Sequence, residues 1–240
     1  MVGEFREHLA QLGWVTDLLV AGSIATGDYT PGISDLDLVA LVDGPVGADR
    51  QATLALLHRD LDTGAAAGLD LGCVDADATT LADPGRQHPT WTHGPLVQRI
   101  LSGVTRAELV RHGFAAFGRA PGSLFPPMSD DDIRAAARAE LTGYWAWAVR
   151  RPWIWRSPVI ADLGLTSMAR GRHALTHGNL LTKTAAIQQA DAPPWLIEQL
   201  TARRRGEAIT SPRLRTALIA WRDTRRTVKL AGQALSRAGQ

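Results

Sequence analysis

Leu18-Leu19-Val20-Ala21-Gly22-Ser23, followed after eleven residues by Asp35-Leu36-Asp37-Leu38, is the stretch that decides the fold. The first run reads as a short buried strand closed by Gly22-Ser23. From Asp35 to Val42 the chain alternates polar and apolar and then turns apolar, as a second strand does. Two carboxylates two apart on a strand share a face, because side chains alternate with period two. Asp35 and Asp37 are therefore placed to hold one or two Mg²⁺ ions, hard cations that take oxygen ligands and keep phosphate oxygens in their shell. Gly22 lets the backbone approach a phosphate, and Ser23 offers a hydroxyl and begins a turn whose amides face the anion. Tyr29 to Ser34 supplies the turn that brings the two halves together. A lone Asp-x-Asp says little, but one that opens an apolar strand after a strand-ending Gly-Ser specifies a site for metal and phosphate.

Leu69 to Val74 reads as a third strand, with Asp70 between Leu69 and Leu71. An unpaired carboxylate is costly to bury there. If this strand lies beside the second, Asp70 joins Asp35 and Asp37 as a metal ligand or takes the proton from an acceptor hydroxyl. The plainer reading is an edge-strand acid facing solvent.

Around this centre the pattern is mixed and then purely helical. Residues 3–13 and Ala48 to Ala67 read as helices, and the stretch holding Pro84, Gly85, Pro89, Gly94 and Pro95 reads as loop. From Ser129 the capping run Ser129-Asp130-Asp131-Asp132 opens a helix to Val149. Four more follow: Asp162 to His177, Thr182 to Gln189, Pro194 to Arg205 and Pro212 to Leu235. The expected fold class is α+β: an α/β domain with a short mixed sheet over 1–120, then an α-helical bundle over 121–240. Pro121 to Pro127 would be the hinge.

The 240 residues, 45% hydrophobic and 21% charged, fit a globular protein with two sizeable cores. No apolar run approaches a membrane span, and the acidic start Met1-Val2-Gly3-Glu4 is unlike a secretory signal. The single cysteine, Cys73, sits in an apolar run as a buried small hydrophobe. A cytoplasmic monomer is the expectation. Residues 1–100 carry 5 Lys/Arg against 14 Asp/Glu, a balance of −9, whereas residues 201–240 carry 10 against 2, a balance of +8. Such a gradient suits a cleft with carboxylates on one wall and cations on the other, or simply a solvated basic helix.

Weaker signals lie outside the strands. Trp91, one of eight tryptophans, follows the sheet in the Pro/Gly-rich loop and is the first choice to stack on a substrate, with aromatic packing as the alternative. Arg203, Arg204 and Arg205 end a helix, where cations are favoured in any case, and Arg203 is the one assigned to a nucleotide phosphate. His173 and His177 have the spacing of a zinc pair but no evident third ligand.

Taken together, these residues resemble the polymerase-β-like nucleotidyltransferase superfamily, whose signature is Gly-Ser, a spacer, Asp-x-Asp and a third carboxylate on a later strand. Within it the chain is most similar to the aminoglycoside O-nucleotidyltransferases that adenylylate streptomycin and spectinomycin. Gly22 to Gly27, Pro31 and Ser34 to Leu38 match the first motif. Leu69-Asp70-Leu71 falls where the family places its catalytic glutamate. Looser likenesses run through Ala116 to Pro127 and from Leu165 to Lys183. The resemblance implies ATP as co-substrate, Mg²⁺, and transfer of AMP to a hydroxyl of a small acceptor. The same chemistry on a protein or tRNA, or a nucleotide-binding protein without turnover, are its rivals. Thr184 and Gln188 stand where the family has acids that meet the cationic drug, which weakens the case for a polycationic acceptor.

Overall fold

The apolar run Leu36–Val42 becomes the centre of a six-stranded mixed sheet, because a strand buried on both faces needs apolar residues at every position. The computed structural model describes residues 2–63, 71–92 and 94–238. Its first unit, Met1–Pro127, begins with α1 (Val2–Gln11), β1 (Val15–Val20), α2 (Gly22–Ala25), β2 (Leu36–Val42) and α3 (Ala48–Thr63). It continues with β3 (Leu71–Asp77), β4 (Gln87–Thr92), β5 (Leu96–Ile100), α4 (Gly103–His112), β6 (Phe114–Phe117) and α5 (Pro121–Leu124). The strand order is β5-β4-β3-β2-β1-β6. Among the described strands only β2 and β3 run parallel, and α3 lies between them as the crossover that a parallel pair requires.

Alternation along β2 divides the unit into two apolar layers. Leu36, Leu38, Ala40 and Val42 pack with Phe5 of α1 and Leu54 of α3. Val39 and Leu41 face the other way, with Leu19, Leu109 of α4 and Phe125. The stretch expected to be loop is instead the antiparallel hairpin β4–β5. Its proline does not break the sheet, because pairing of β4 to β3 ends at Thr90 and Pro89 faces only Gln98 of β5. Pro121 to Leu124 form a helical turn, and the division between the two units falls after Pro127.

The second unit is Met128–Gln240, and its described elements are all helical. It comprises α6 (Asp130–Glu140), a π-helical turn (Leu141–Trp145), α7 (Ala146–Val149), a 3₁₀ turn (Pro152–Arg156), α8 (Pro158–His177), α9 (Lys183–Gln188), α10 (Pro194–Arg204) and α11 (Arg213–Ala238). The single helix expected from Ser129 to Val149 is thus interrupted by the π turn. Its start is as expected, a reciprocal capping box between Ser129 and Asp132. The core gathers Trp145, Trp155, Leu165, Met168, Leu196 and Leu200. Gly164 admits the Trp155 ring, since a Cβ there would lie 2.5 Å from it. Among the described residues no helix is long and apolar enough to cross a membrane.

Candidate active site

The end of β1 and the start of β2 meet through the backbone: Ala21 N–H donates to Asp37 O at 2.9 Å. The next residue, Gly22, has φ +60°, and a Cβ built on it would lie 1.9 Å from Asp37 Oδ2. Only glycine fits this position, for the left-handed conformation and for the space the carboxylate occupies. Gly22 and Asp37, fifteen positions apart in sequence, are therefore in contact as the spacing predicts. On the other side, Asp37 pairs in register with Gly72 of β3, whose missing side chain keeps the neighbouring ground open.

Ser23 is buried, and among the described residues its hydroxyl has no hydrogen-bond partner. The turn that follows is tied locally: Thr26 N–H and its hydroxyl both donate to Gly22 O at 3.1 Å, and Asp28 N–H donates to Ser23 O at 2.8 Å. Farther along, Thr30 N–H donates to Ser34 Oγ at 2.9 Å, and Ser34 N–H returns to Thr30 O at 2.9 Å. This closed turn delivers the chain to Asp35.

Asp35 and Asp37 are half-buried and line one pocket of about 330 Å³. Gly72, Thr90, Thr92 and Arg99 are on its wall, so the hairpin read as loop supplies part of the site. The missed signal was the alternation Thr90-Trp91-Thr92, a strand pattern masked by the prolines around it. Of the other expected site residues, Asp70 lies outside the described residues.

Trp91 is corrected. It sits in β4 with about 6% of its surface exposed, in the apolar layer with Leu36 and Leu38, its ring 5.9 Å from that of His58. Strand alternation sends it to the face opposite Thr90 and Thr92, so it cannot stack on a ligand in the pocket. Arg203 lies on α10 in the second unit, where it forks onto Asp162 with contacts of 2.7 and 2.9 Å. Burial pushes the Asp162 carboxyl above its usual range, against the opposing pull of Arg203.

Two polar groups went unread in the sequence. Asp17 of β1 is buried, and Arg119 holds it with Nε at 3.0 Å, the second fork nitrogen at 2.7 Å and its backbone N–H at 2.6 Å. Burial pushes this carboxyl up, but the bonds from Arg119 and Thr16 outweigh it and hold it below the usual carboxylate range. Under the opposite face of the sheet, His58 Nε2 lies 3.0 Å from both oxygens of Asp75, and Cys73 Sγ is 3.8 Å from Asp75 Oδ1. All three are buried. Burial, and then Asp75, push the Cys73 thiol well above its usual value, so it is an inert core residue as expected.

Residues 2–67 match the family model of the nucleotidyltransferase domain, a range that contains Gly22, Ser23, Asp35 and Asp37. With the fold and the Gly22–Asp37 contact, this gives the first unit a nucleotidyltransferase domain. Among solved structures it is similar to the spectinomycin adenyltransferase AAD(9) from Enterococcus faecialis, determined with ATP and spectinomycin. The likeness has a TM-score of 0.70 and covers 90% of this chain and 92% of that one at 14% identity, so it is a likeness of fold. A comparison with curated proteins returns no match.

Proposed function

We propose that the enzyme transfers AMP from ATP to a hydroxyl of a small acceptor, with Asp35 and Asp37 holding Mg²⁺ and Asp70 as the general base. The observation that carries this reading is the Gly22–Asp37 contact, which leaves a carboxylate against bare backbone beside the buried, unpartnered Ser23 hydroxyl. An all-oxygen donor set of this kind fits Mg²⁺, and a backbone without a side chain fits a phosphate. When bound, Mg²⁺ would neutralise the charge of the nucleotide phosphates. Gly22 and Ser23 position the phosphate chain. Asp70 accepts the acceptor's hydroxyl proton, the freed oxygen bonds to the α-phosphorus, and the bond to the leaving pyrophosphate breaks.

For the acceptor, the second unit gives a reason to look beyond polycations. On α9, Gln188 donates to Thr201 Oγ1 at 2.9 Å, and Arg204 Nε donates to Thr184 Oγ1 at 3.4 Å. Neutral side chains, one of them beside an arginine, offer little to a molecule with several ammonium groups. A compact aminocyclitol of the spectinomycin type, the ligand of the AAD(9) structure, is the first acceptor to test.

The test is α-labelled ATP with Mg²⁺ against spectinomycin, streptomycin, tRNA and cell protein. Label is expected on the aminocyclitol, with Asp37→Asn and Asp70→Asn each abolishing it at unchanged folding. Full activity in either variant removes these residues from the site, and label on RNA or protein replaces the acceptor assignment.

A further inference from the structure

In the second unit, away from α9, a separate cavity of about 140 Å³ opens where α8 and α11 begin. Three guanidinium groups line it, from Arg156, Arg203 and Arg213, against a single carboxylate, Asp162. Arg203 is committed: besides the fork to Asp162, it donates to Ser211 Oγ at 2.8 Å and Ile209 O at 3.3 Å. Arg156 and Arg213 are exposed and, among the described residues, pair with no carboxylate. A pocket that draws in three arginines and compensates only one is electrostatically unfinished.

Two further observations point the same way. Pro158 and Ala161 belong to the first turn of α8, and Arg213 and Thr216 to that of α11, so both helix N-termini border the cavity. Neither first turn carries an acid, and the cap residue of α8, Ser157, makes no side-chain capping bond. The positive ends of a 20-residue and a 26-residue helix thus add to the arginines. Independently, Thr216 is 3% exposed and, among the described residues, its hydroxyl has no hydrogen-bond partner, an orphan of the kind that native cores rarely keep without a ligand or water.

We infer that this cavity is an oxyanion site for a phosphate group. Guanidinium forks match the oxygens of phosphate, and helix N-termini favour the same charge. Trp155 and Ile209 form an apolar wall, and the volume holds a phosphate with a few attached atoms, the rest of a larger ligand lying outside it. The bound group is either free phosphate or the phosphate of a small ester or nucleotide. This site is defined within the helical unit alone and stands whether or not the catalytic assignment holds.

Calorimetric titration of the full chain tests it, using inorganic phosphate and, separately, ATP without Mg²⁺, at fixed ionic strength. The comparison is the double variant Arg156→Gln/Arg213→Gln, whose positions are exposed and outside the core. We expect saturable binding by the native chain that weakens about tenfold or more in the double variant, as loss of charge-assisted hydrogen bonds implies. Weakening of both ligands, with ATP displacing phosphate, assigns the site to nucleotide phosphates. Weakening of phosphate alone, with binding undisturbed by ATP, assigns it to free phosphate or a small ester. If neither ligand binds the double variant more weakly than the native chain, the site does not exist.

Discussion

Replacing Gly22 by alanine probes the contact on which the site is built. The added Cβ would fall 1.9 Å from Asp37 Oδ2, 2.7 Å from its Cγ and 2.9 Å from its Cβ, at a φ of +60°. The left-handed backbone costs a non-glycine residue about 1–2 kcal/mol. Driving the Asp37 side chain off its rotamer adds about 0.5–1.5 kcal/mol. Together these predict a loss of roughly 2–3 kcal/mol, seen as a drop of several degrees in the melting of the first unit. Catalysis should suffer more than stability. A carboxylate displaced by about 1 Å costs on the order of 100-fold in kcat/KM when orientation matters. The decisive measurement is a double-mutant cycle with Asp37→Ala, which removes the two shortest contacts. The steric part should be recovered, so Gly22→Ala/Asp37→Ala should be about 0.5–1.5 kcal/mol more stable than the sum of the single losses. Strict additivity would show that Gly22 does not abut Asp37, and the geometry of the site would have to be abandoned.

Arg119→Met should cost about 2–3 kcal/mol at neutral pH, less than a fully buried pair because more than half of the Arg119 side chain is exposed. Asp17 is held below its usual pKa, so this contribution is complete above the ordinary carboxylate value of about 3.9 and is lost as pH falls through the lower folded value. The melting gap between native and variant should therefore close in strong acid; a constant gap would deny the pairing. Trp91→Phe should lower stability by about 1–3 kcal/mol, as a core truncation does, while leaving KM for ATP and acceptor unchanged. A raised KM at unchanged stability would restore Trp91 as a ligand contact. Gly164→Ala sets a gain in helix propensity of about 1 kcal/mol against overpacking of about 1–3 kcal/mol, because the new Cβ meets the Trp155 ring. Net destabilisation is expected by thermal melting, and a stabilised variant would mean the ring yields freely.

What the sequence reveals is set by the distance over which a residue's surroundings are encoded. Gly22, Asp35 and Asp37 were legible because β1, its turn and β2 are consecutive, so one short stretch determines which atoms meet. The direct contact of Gly22 with Asp37 is local chemistry written locally. Trp91 failed for the opposite reason: nearby prolines marked a loop, while the face its side chain takes depends on pairing with Cys73 across the sheet. His58 and Asp75 come from a helix and a strand, and neither carries a sequence signal for the other. The basic tail was visible as composition, yet its meaning was not. Arg203 answers Asp162, and Arg226 pairs with Asp191 and Asp223, so part of the charge read as a wall for ligands is spent inside the unit. Of what remains, Arg213 joins Arg156 where the starts of two helices converge, in a cavity drawn from three separated segments. Charge counting finds that surplus but cannot place it. Its position follows only once packing has decided which arginines have found carboxylates and which, like Arg156 and Arg213, are still available to bind a ligand.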